Sequence, residues 1–202
     1  MDVTELIKTF VILVAVIDPF GNIPVYISLT AQKTEAEHKS IALKTSCTAV
    51  LLLAASFLLG KHIIGFFGIE MSAFKLIGGI FLLYISFTML SNTKSSYLFS
   101  EENEDISLMP LTFPLFIGPA AISIVIIQSD EISNWTGKII SLSEFALIGV
   151  LIWLTLRLSK FILNNLSKTG TKFIHQIMGL LLGSLAIGMI AEELKILLPG
   201  LS

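Results

Sequence analysis

Residues 14–27 read VAVIDPFGNIPVYI, an apolar run that carries a carboxylate, two prolines, a glycine and an asparagine at its centre. Asp18, Pro19, Gly21, Asn22 and Pro24 are residue types that a helix interior tends to exclude, and they fall within seven positions. What such a run means depends on the solvent around it, and composition decides the solvent. Of 202 residues, 54% are hydrophobic and 14% charged, with a mean hydropathy of +0.87, far above a soluble globular domain. The chain therefore reads as an all-α membrane protein, and its length accommodates roughly six or seven spans of about 20 residues with short connections. One transmembrane domain, 1–202, fills it.

Six segments meet the length test: 6–29, 41–60, 71–90, 108–128, 138–159 and 174–197. The second, third, fifth and sixth read as ordinary transmembrane helices. The first and fourth do not, because the fourth, MPLTFPLFIGPAAISIVIIQ, holds Pro110, Pro114, Gly118 and Pro119 and is interrupted like the first. The longest polar connection separates two groups of three spans, dividing the chain into halves 1–90 and 108–202 around a linker at 91–107. Its acidic run, Glu101, Glu102, Glu104 and Asp105, reads as a solvated face without chemistry.

The ends and the charges bound the remaining possibilities. MDVTELIKTF carries Asp2 and Glu5 with Lys8 as its single cation, so it lacks the basic region of a cleavable signal and the first apolar run is expected to be retained. A formal net charge of −2 without a basic block argues against a nucleic-acid partner. Lys33, Lys39, Lys44, Lys94, Arg157, Lys160, Lys168 and Lys172 fall at one membrane face; Lys8, Lys61, Lys75, Lys138 and Lys195 fall at the other. The bias places the first face in the cytoplasm and both termini outside it. Cys47, the single cysteine, is expected to be a small buried hydrophobe.

The interrupted spans share a spacing. Pro19 and Pro24, like Pro114 and Pro119, stand five apart with a glycine between or beside them. The last spans of the halves also align at a constant offset, pairing Ile77 with Ile177, Gly79 with Gly179, Leu82 with Leu182 and Met89 with Met189. A duplicated unit with an odd number of spans inserts its second copy upside down, and such inverted repeats place a solute site near the midplane between discontinuous helices. Inside lipid every backbone polar group needs a partner, so unwinding at these prolines survives only where protein or water supplies one. The breaks should face the bundle interior.

Asp18 sits near the middle of the first span, where a carboxylate costs about 2.5–3.5 kcal/mol on insertion scales and usually faces a cavity or a partner. It also suits a cap on the second half-helix, since Asp followed by Pro makes an N-cap and first-turn pair. Asn22 offers donors and an acceptor in the same turn, for a ligand or for local backbone. The second half has no counterpart acid; Phe113 matches Asp18, and Thr112 and Ser123 are the nearest hydroxyls.

Other features read as structural. Gly179-LLL-Gly183, with Gly78-Gly79 at the equivalent place, suits close packing within the monomer, with a homo-oligomer face as the alternative. His38, His62 and His175 lack a second ligand at metal spacing. Lys44, Lys75, Glu144 and Arg157 lie within a turn or two of span ends, where long side chains reach the interface; of these, Glu144 is the one acid that could lie inside. No phosphate-binding loop, hydrolase elbow, zinc motif or dinucleotide fingerprint occurs, and no acid pair or nucleophile with a base stands at catalytic spacing, so an enzyme is not expected.

At IDPFGNIPVYISLT, FKLIGGIFLLYISFTML, MPLTFPLFIGPAAIS and IMGLLLGSLAIGMI the chain resembles the MarC family of integral membrane proteins, also called the small neutral amino acid transporter family. The similarity runs over essentially the whole chain. It implies a six-span inner-membrane protein of bacteria or archaea, distantly akin to carriers of the lysine-exporter type. Transport of glycine and alanine is attributed to a few members. Where many members have Gly-Pro-Gly in the fourth span, this chain has Gly118-Pro119-Ala120, which keeps the position small but restricts its backbone.

These readings converge on a secondary transporter with half-helix N-termini at Pro19 and Pro114 facing a cavity. Asp18, Gly21, Asn22, Thr112 and Gly118 would bind a small solute there. No cofactor is required beyond a coupling proton or sodium ion, met by Asp18. The alternative is a structural or assembly protein in which the breaks serve packing alone.

Overall fold

The structure, a computed structural model, describes residues 3–91, 107–165 and 168–198. Its elements are α1 (Val3–Ile17), α2 (Ile23–Leu29), α3 (Glu35–Phe66), α4 (Met71–Ser91), a π-helical segment (Ser107–Phe116), α5 (Pro119–Glu131), α6 (Trp135–Arg157), α7 (Ser159–Asn165) and α8 (Lys168–Leu197). Most of the linker at 91–107, with its acidic run, lies outside the described residues.

Among the described residues, four helical stretches are long and apolar enough to cross a bilayer: Glu35–Phe66, Met71–Ser91, Trp135–Arg157 and Gln176–Leu197. These correspond to the second, third, fifth and sixth expected spans. The first and fourth are each two pieces, α1 with α2 and the π segment with α5, and neither piece alone reaches spanning length. Lipid accounts for the outer faces of the long helices. Leu43, Leu51, Leu58 and Ile63 of α3 and Leu147, Val150 and Leu154 of α6 are exposed, an arrangement unfavourable in water but neutral against hydrocarbon. Cys47 is exposed as well, contrary to the buried role expected of it, because it lies on the outward face of α3.

Helix ends follow local chemistry. Thr34 and Glu37 form a capping box at the start of α3, the Thr34 hydroxyl accepting from the Glu37 amide and the Glu37 carboxylate from the Thr34 amide. At its other end Gly68, at φ 66, adopts the left-handed conformation glycine tolerates. Its amide donates to Gly65 O and that of Ile69 to Ile64 O, which closes the helix and turns the chain into α4. Asn134 caps α6 by accepting from the Gly137 amide at 3.1 Å.

Three helix pairings are the most extensive: α4 packs along α8, and α3 packs on both α5 and α6. The first contact is made by small residues. A Cβ added to Gly79 would meet Ile190 at 2.9 Å and the Ala186 carbonyl at 3.4 Å, and one added to Gly179 would meet Met89 at 2.9 Å and the Leu90 side chain and Ser86 carbonyl at 3.3 Å. Residues 79, 86 and 90 are thus answered by 179, 186 and 190. The Ser86 hydroxyl donates across the interface to Gly179 O at 2.8 Å. The glycines of this pair are therefore occupied inside the monomer.

Ion pairs form at both ends of the bundle. Lys160–Glu35 (2.8 Å) and Lys33–Glu37 (3.8 Å) stand at one end. Lys61–Asp130 (2.7 Å), Lys75–Glu131 (3.7 Å) and Lys138 over the Trp135 ring at 5.2 Å stand at the other.

Candidate functional site

The first break spans residues 18–22. Helix α1 ends with the Asp18 amide donating to Val14 O at 2.9 Å, after which Asp18 turns to φ 43, the left-handed region that aspartate tolerates better than most residues. The turn closes through its own side chains. The Gly21 amide donates to Asp18 Oδ1 at 3.1 Å, and Asn22 Nδ2 donates to Ile17 O at 3.0 Å, meeting a carbonyl at the end of α1. A Cβ on Gly21 would collide with the Asp18 carboxylate, so only glycine allows this approach. Asp18, Gly21 and Asn22 are all half-buried, and Pro19 is buried.

Helix α2 starts at Ile23, with Pro24 in its first turn and the Asn22 carbonyl accepting from the Tyr26 amide at 3.0 Å. Asp18 therefore caps the turn that precedes α2, while the position before the helix belongs to Asn22. Tyr26, buried, anchors α2 by donating its hydroxyl to His38 O at 3.2 Å, with its ring edge-on to His38.

The second break is built differently. Pro110 and Pro114 lack amide donors, so the i→i+4 ladder cannot run through them; the segment Ser107–Phe116 takes the wider i→i+5 form, ending in the Ile117 amide on Thr112 O at 2.8 Å. The chain then extends through Ile117 and Gly118, the latter at φ −87 and ψ 177, and α5 begins at Pro119. The half-helices thus begin at Ile23 and Pro119, not at Pro19 and Pro114: a proline suits a first helical turn, whereas Pro19 sits in the turn and Pro114 inside the π segment.

Thr112, fully buried, donates its hydroxyl to Ser107 O at 2.6 Å and lies 3.3 Å from Thr45 O. Thr45 in turn donates to Ser107 O at 3.3 Å. These bonds fasten the π segment to α3 and direct the Thr112 hydroxyl at protein backbone. Replacing Thr112 with valine keeps the shape and removes the hydroxyl's 2.6 Å bond to Ser107 O, a cost of about 1–2 kcal/mol. Thermal unfolding should shift down by about 2–6 °C. A loss of solute flux at unchanged Tm would instead assign the hydroxyl to a ligand.

One polar cluster escaped the sequence reading. Glu144 of α6, Gln128 of α5 and Ser141 of α6 are buried, 5%, 2% and 0% exposed. Gln128 Nε2 donates to Glu144 Oε2 at 3.0 Å and to Ser141 Oγ at 3.3 Å. Position along the span suggested an interfacial glutamate. The available signal was the spacing of Ser141 and Glu144, which puts both on one helix face. Among the described residues no group of histidine, cysteine and acids is arranged to hold a metal.

A cavity of about 280 Å³ opens at the end of the bundle that holds Lys61–Asp130, lined by Phe57, Lys61, His62, Ser129, Asp130 and Lys138 among others. Phe57 packs edge-to-face on Phe145, ring centres 5.5 Å apart.

A family model described as MarC family integral membrane protein matches residues 3–198. A UPF0056 membrane protein of Buchnera aphidicola subsp. Schizaphis graminum is 36% identical over 197 residues, covering 96% of this chain and 93% of the relative. The UPF0056 membrane protein YvbG of Bacillus subtilis is 34% identical (98% and 97% covered), and YhcE of Escherichia coli 33% identical (96% and 94% covered). No solved structure matches.

Proposed function

This chain belongs to the MarC family of integral membrane proteins, and on that premise we propose that it is a secondary transporter of small neutral amino acids or comparable small zwitterions. The observation that carries the proposal is the pair of interrupted spans, the first of which holds the Asp18 carboxylate in its break. Discontinuous helices in lipid are tolerated where they line a cavity, and paired discontinuous helices are the usual seat of a transporter's site. In this reading the amides at the starts of α2 and α5 meet the solute carboxylate, Asp18 and Asn22 meet its ammonium group, and Gly118 gives close approach. The chain acts as a carrier, not as an enzyme, and needs no cofactor beyond a coupling ion.

An inverted repeat of two three-span halves is part of the proposal. The reciprocal contacts of Gly79 with residues 186 and 190 and of Gly179 with residues 86 and 90 support it. So does the division of each half into a broken span followed by longer helices. The Lys160 end is the cytoplasmic one in this reading, in an inner membrane with both termini outside; the excess of cations at that end supports it. The alternative, a membrane scaffold that moves no solute, draws support from the local bonds of the first break, in which Asp18 and Asn22 satisfy neighbouring backbone.

Uptake of radiolabelled glycine or alanine into proteoliposomes, under imposed proton or sodium gradients, separates the two. A carrier accumulates solute above the level of empty liposomes in a gradient-dependent way. A scaffold shows no accumulation under any gradient.

A further inference from the structure

The Glu144 cluster is a buried ionisable group that the solute site described above does not use. A carboxylate has four lone-pair directions, and burial without partners is costly for any of them. Glu144 receives one hydrogen bond, from Gln128, and its Oε1 accepts none; Gln128 Oε1, on the other side of the same contact, accepts none either. Two unpartnered acceptors within one buried contact call for a positive charge or a proton. Among the described residues no cation pairs with Glu144.

The charged groups on the surrounding elements are engaged elsewhere. Lys61 of α3 pairs with Asp130 of α5, Glu131 of α5 pairs with Lys75, and Lys160 of α7 pairs with Glu35 of α3. Lys138 of α6 lies over Trp135, Asp18, just after α1, holds the Gly21 amide, and His62 lines the cavity. Lys8 of α1 is exposed, and Lys44 of α3 and Arg157 of α6 lie on exposed surface.

We propose that Glu144, Gln128 and Ser141 form a buried site for one monovalent cation, a proton or a sodium ion. The carboxylate supplies the charge; the Gln128 carbonyl and the Ser141 hydroxyl supply neutral oxygens. A proton on Glu144 converts an orphan acceptor into a donor, and a sodium ion would take the orphan carboxylate oxygen together with neutral oxygens around it. The cavity lies near this cluster in the chain: Ser129 and Asp130 on its wall follow Gln128 directly, and Phe57 on that wall packs on Phe145, the residue after Glu144. Use of the site for coupling rests on the carrier reading; its cation binding does not.

The test is thermal unfolding of the purified full-length protein in detergent, in sodium or choline chloride at fixed ionic strength and across a pH series. Saturating cation should raise Tm by about 4 °C or more. A rise with sodium identifies the ion as sodium; a rise on acidification without a sodium effect identifies it as a proton. In Glu144→Gln either dependence should vanish. Glu144→Asp, which withdraws the carboxylate by one methylene, should move the midpoint at least about tenfold in cation concentration and carries the test should the glutamine variant fail to fold.

A wild-type Tm indifferent to both cations, or a dependence unchanged in Glu144→Gln or Glu144→Asp, overturns the site. Since no flux is measured, that result leaves the carrier reading standing, whereas absent flux with an intact Tm response removes the carrier reading and its coupling role and leaves the cation site.

Discussion

Asp18→Asn is expected to lower gradient-driven solute uptake at least about tenfold, equivalent to about 1.4 kcal/mol, while yield stays unchanged and Tm remains within about 2 °C of wild type. The asymmetry follows from the geometry. Asp18 Oδ1 accepts from the Gly21 amide at 3.1 Å and so closes the first break. Asparagine keeps that oxygen, caps as well as aspartate does, and tolerates the left-handed φ of 43 observed here. The substitution thus keeps the Gly21 bond and removes the charge. If the carboxylate serves the turn alone, flux is unaffected; if it meets an ammonium group, flux falls without loss of fold. Uptake measured beside a Tm on the same preparation gives the answer.

Gly179→Leu is expected to cost about 2–3 kcal/mol, lowering Tm by about 6–10 °C. A Cβ at this position already meets Met89 at 2.9 Å and the Ser86 carbonyl at 3.3 Å, and one of those neighbours is backbone, which cannot swing aside. Helices α4 and α8 must separate, and the Ser86 hydroxyl then loses its bond to Gly179 O. In lipid there is little water-exclusion energy to restore the contact, so close packing carries the association. Gly188 is a control on the same helix: a Cβ there meets nothing within 4 Å, and Gly188→Leu should leave Tm within about 1–2 °C of wild type. Equal effects at the two glycines would contradict this packing.

The interruptions were legible because proline acts through covalent structure alone. A missing amide and a fixed ring break the i→i+4 ladder in any fold, so the discontinuities in the first and fourth spans needed no knowledge of neighbours. Where each half-helix restarts was not legible, because that depends on how the turn satisfies its own backbone. In the first break Asp18 and Asn22 do so before Ile23; in the second, the wider π turns carry the chain past Pro114 to Pro119. The close packing of Gly79 and Gly179 followed from the aligned glycines, and the partner residues needed the structure.

Thr112 and Glu144 owe their surroundings to residues distant in sequence. Thr112 reads as a ligand hydroxyl because it lies beside a break, while its hydrogen bonds run to Ser107 O and to Thr45 O, 67 residues away in sequence. Glu144 suggested an interfacial side chain by depth along its span, and burial was decided by Gln128, 16 residues earlier on another helix. Cys47 fails in a third way: an apolar neighbourhood in a membrane helix says nothing about which face is inward when lipid and core are equally apolar.

In a carrier the helix breaks border a path for solute. Cys47 is the single cysteine and lies exposed on α3, so a Cys47→Ser background allows Asn22→Cys or Gly118→Cys to be probed alone in sealed vesicles with a membrane-impermeant thiol reagent. A solute path predicts labelling at both positions, slowed by glycine or alanine in the medium. Breaks that serve packing alone predict that neither position reacts from either side of the membrane, with or without solute, and that result would contradict the claim.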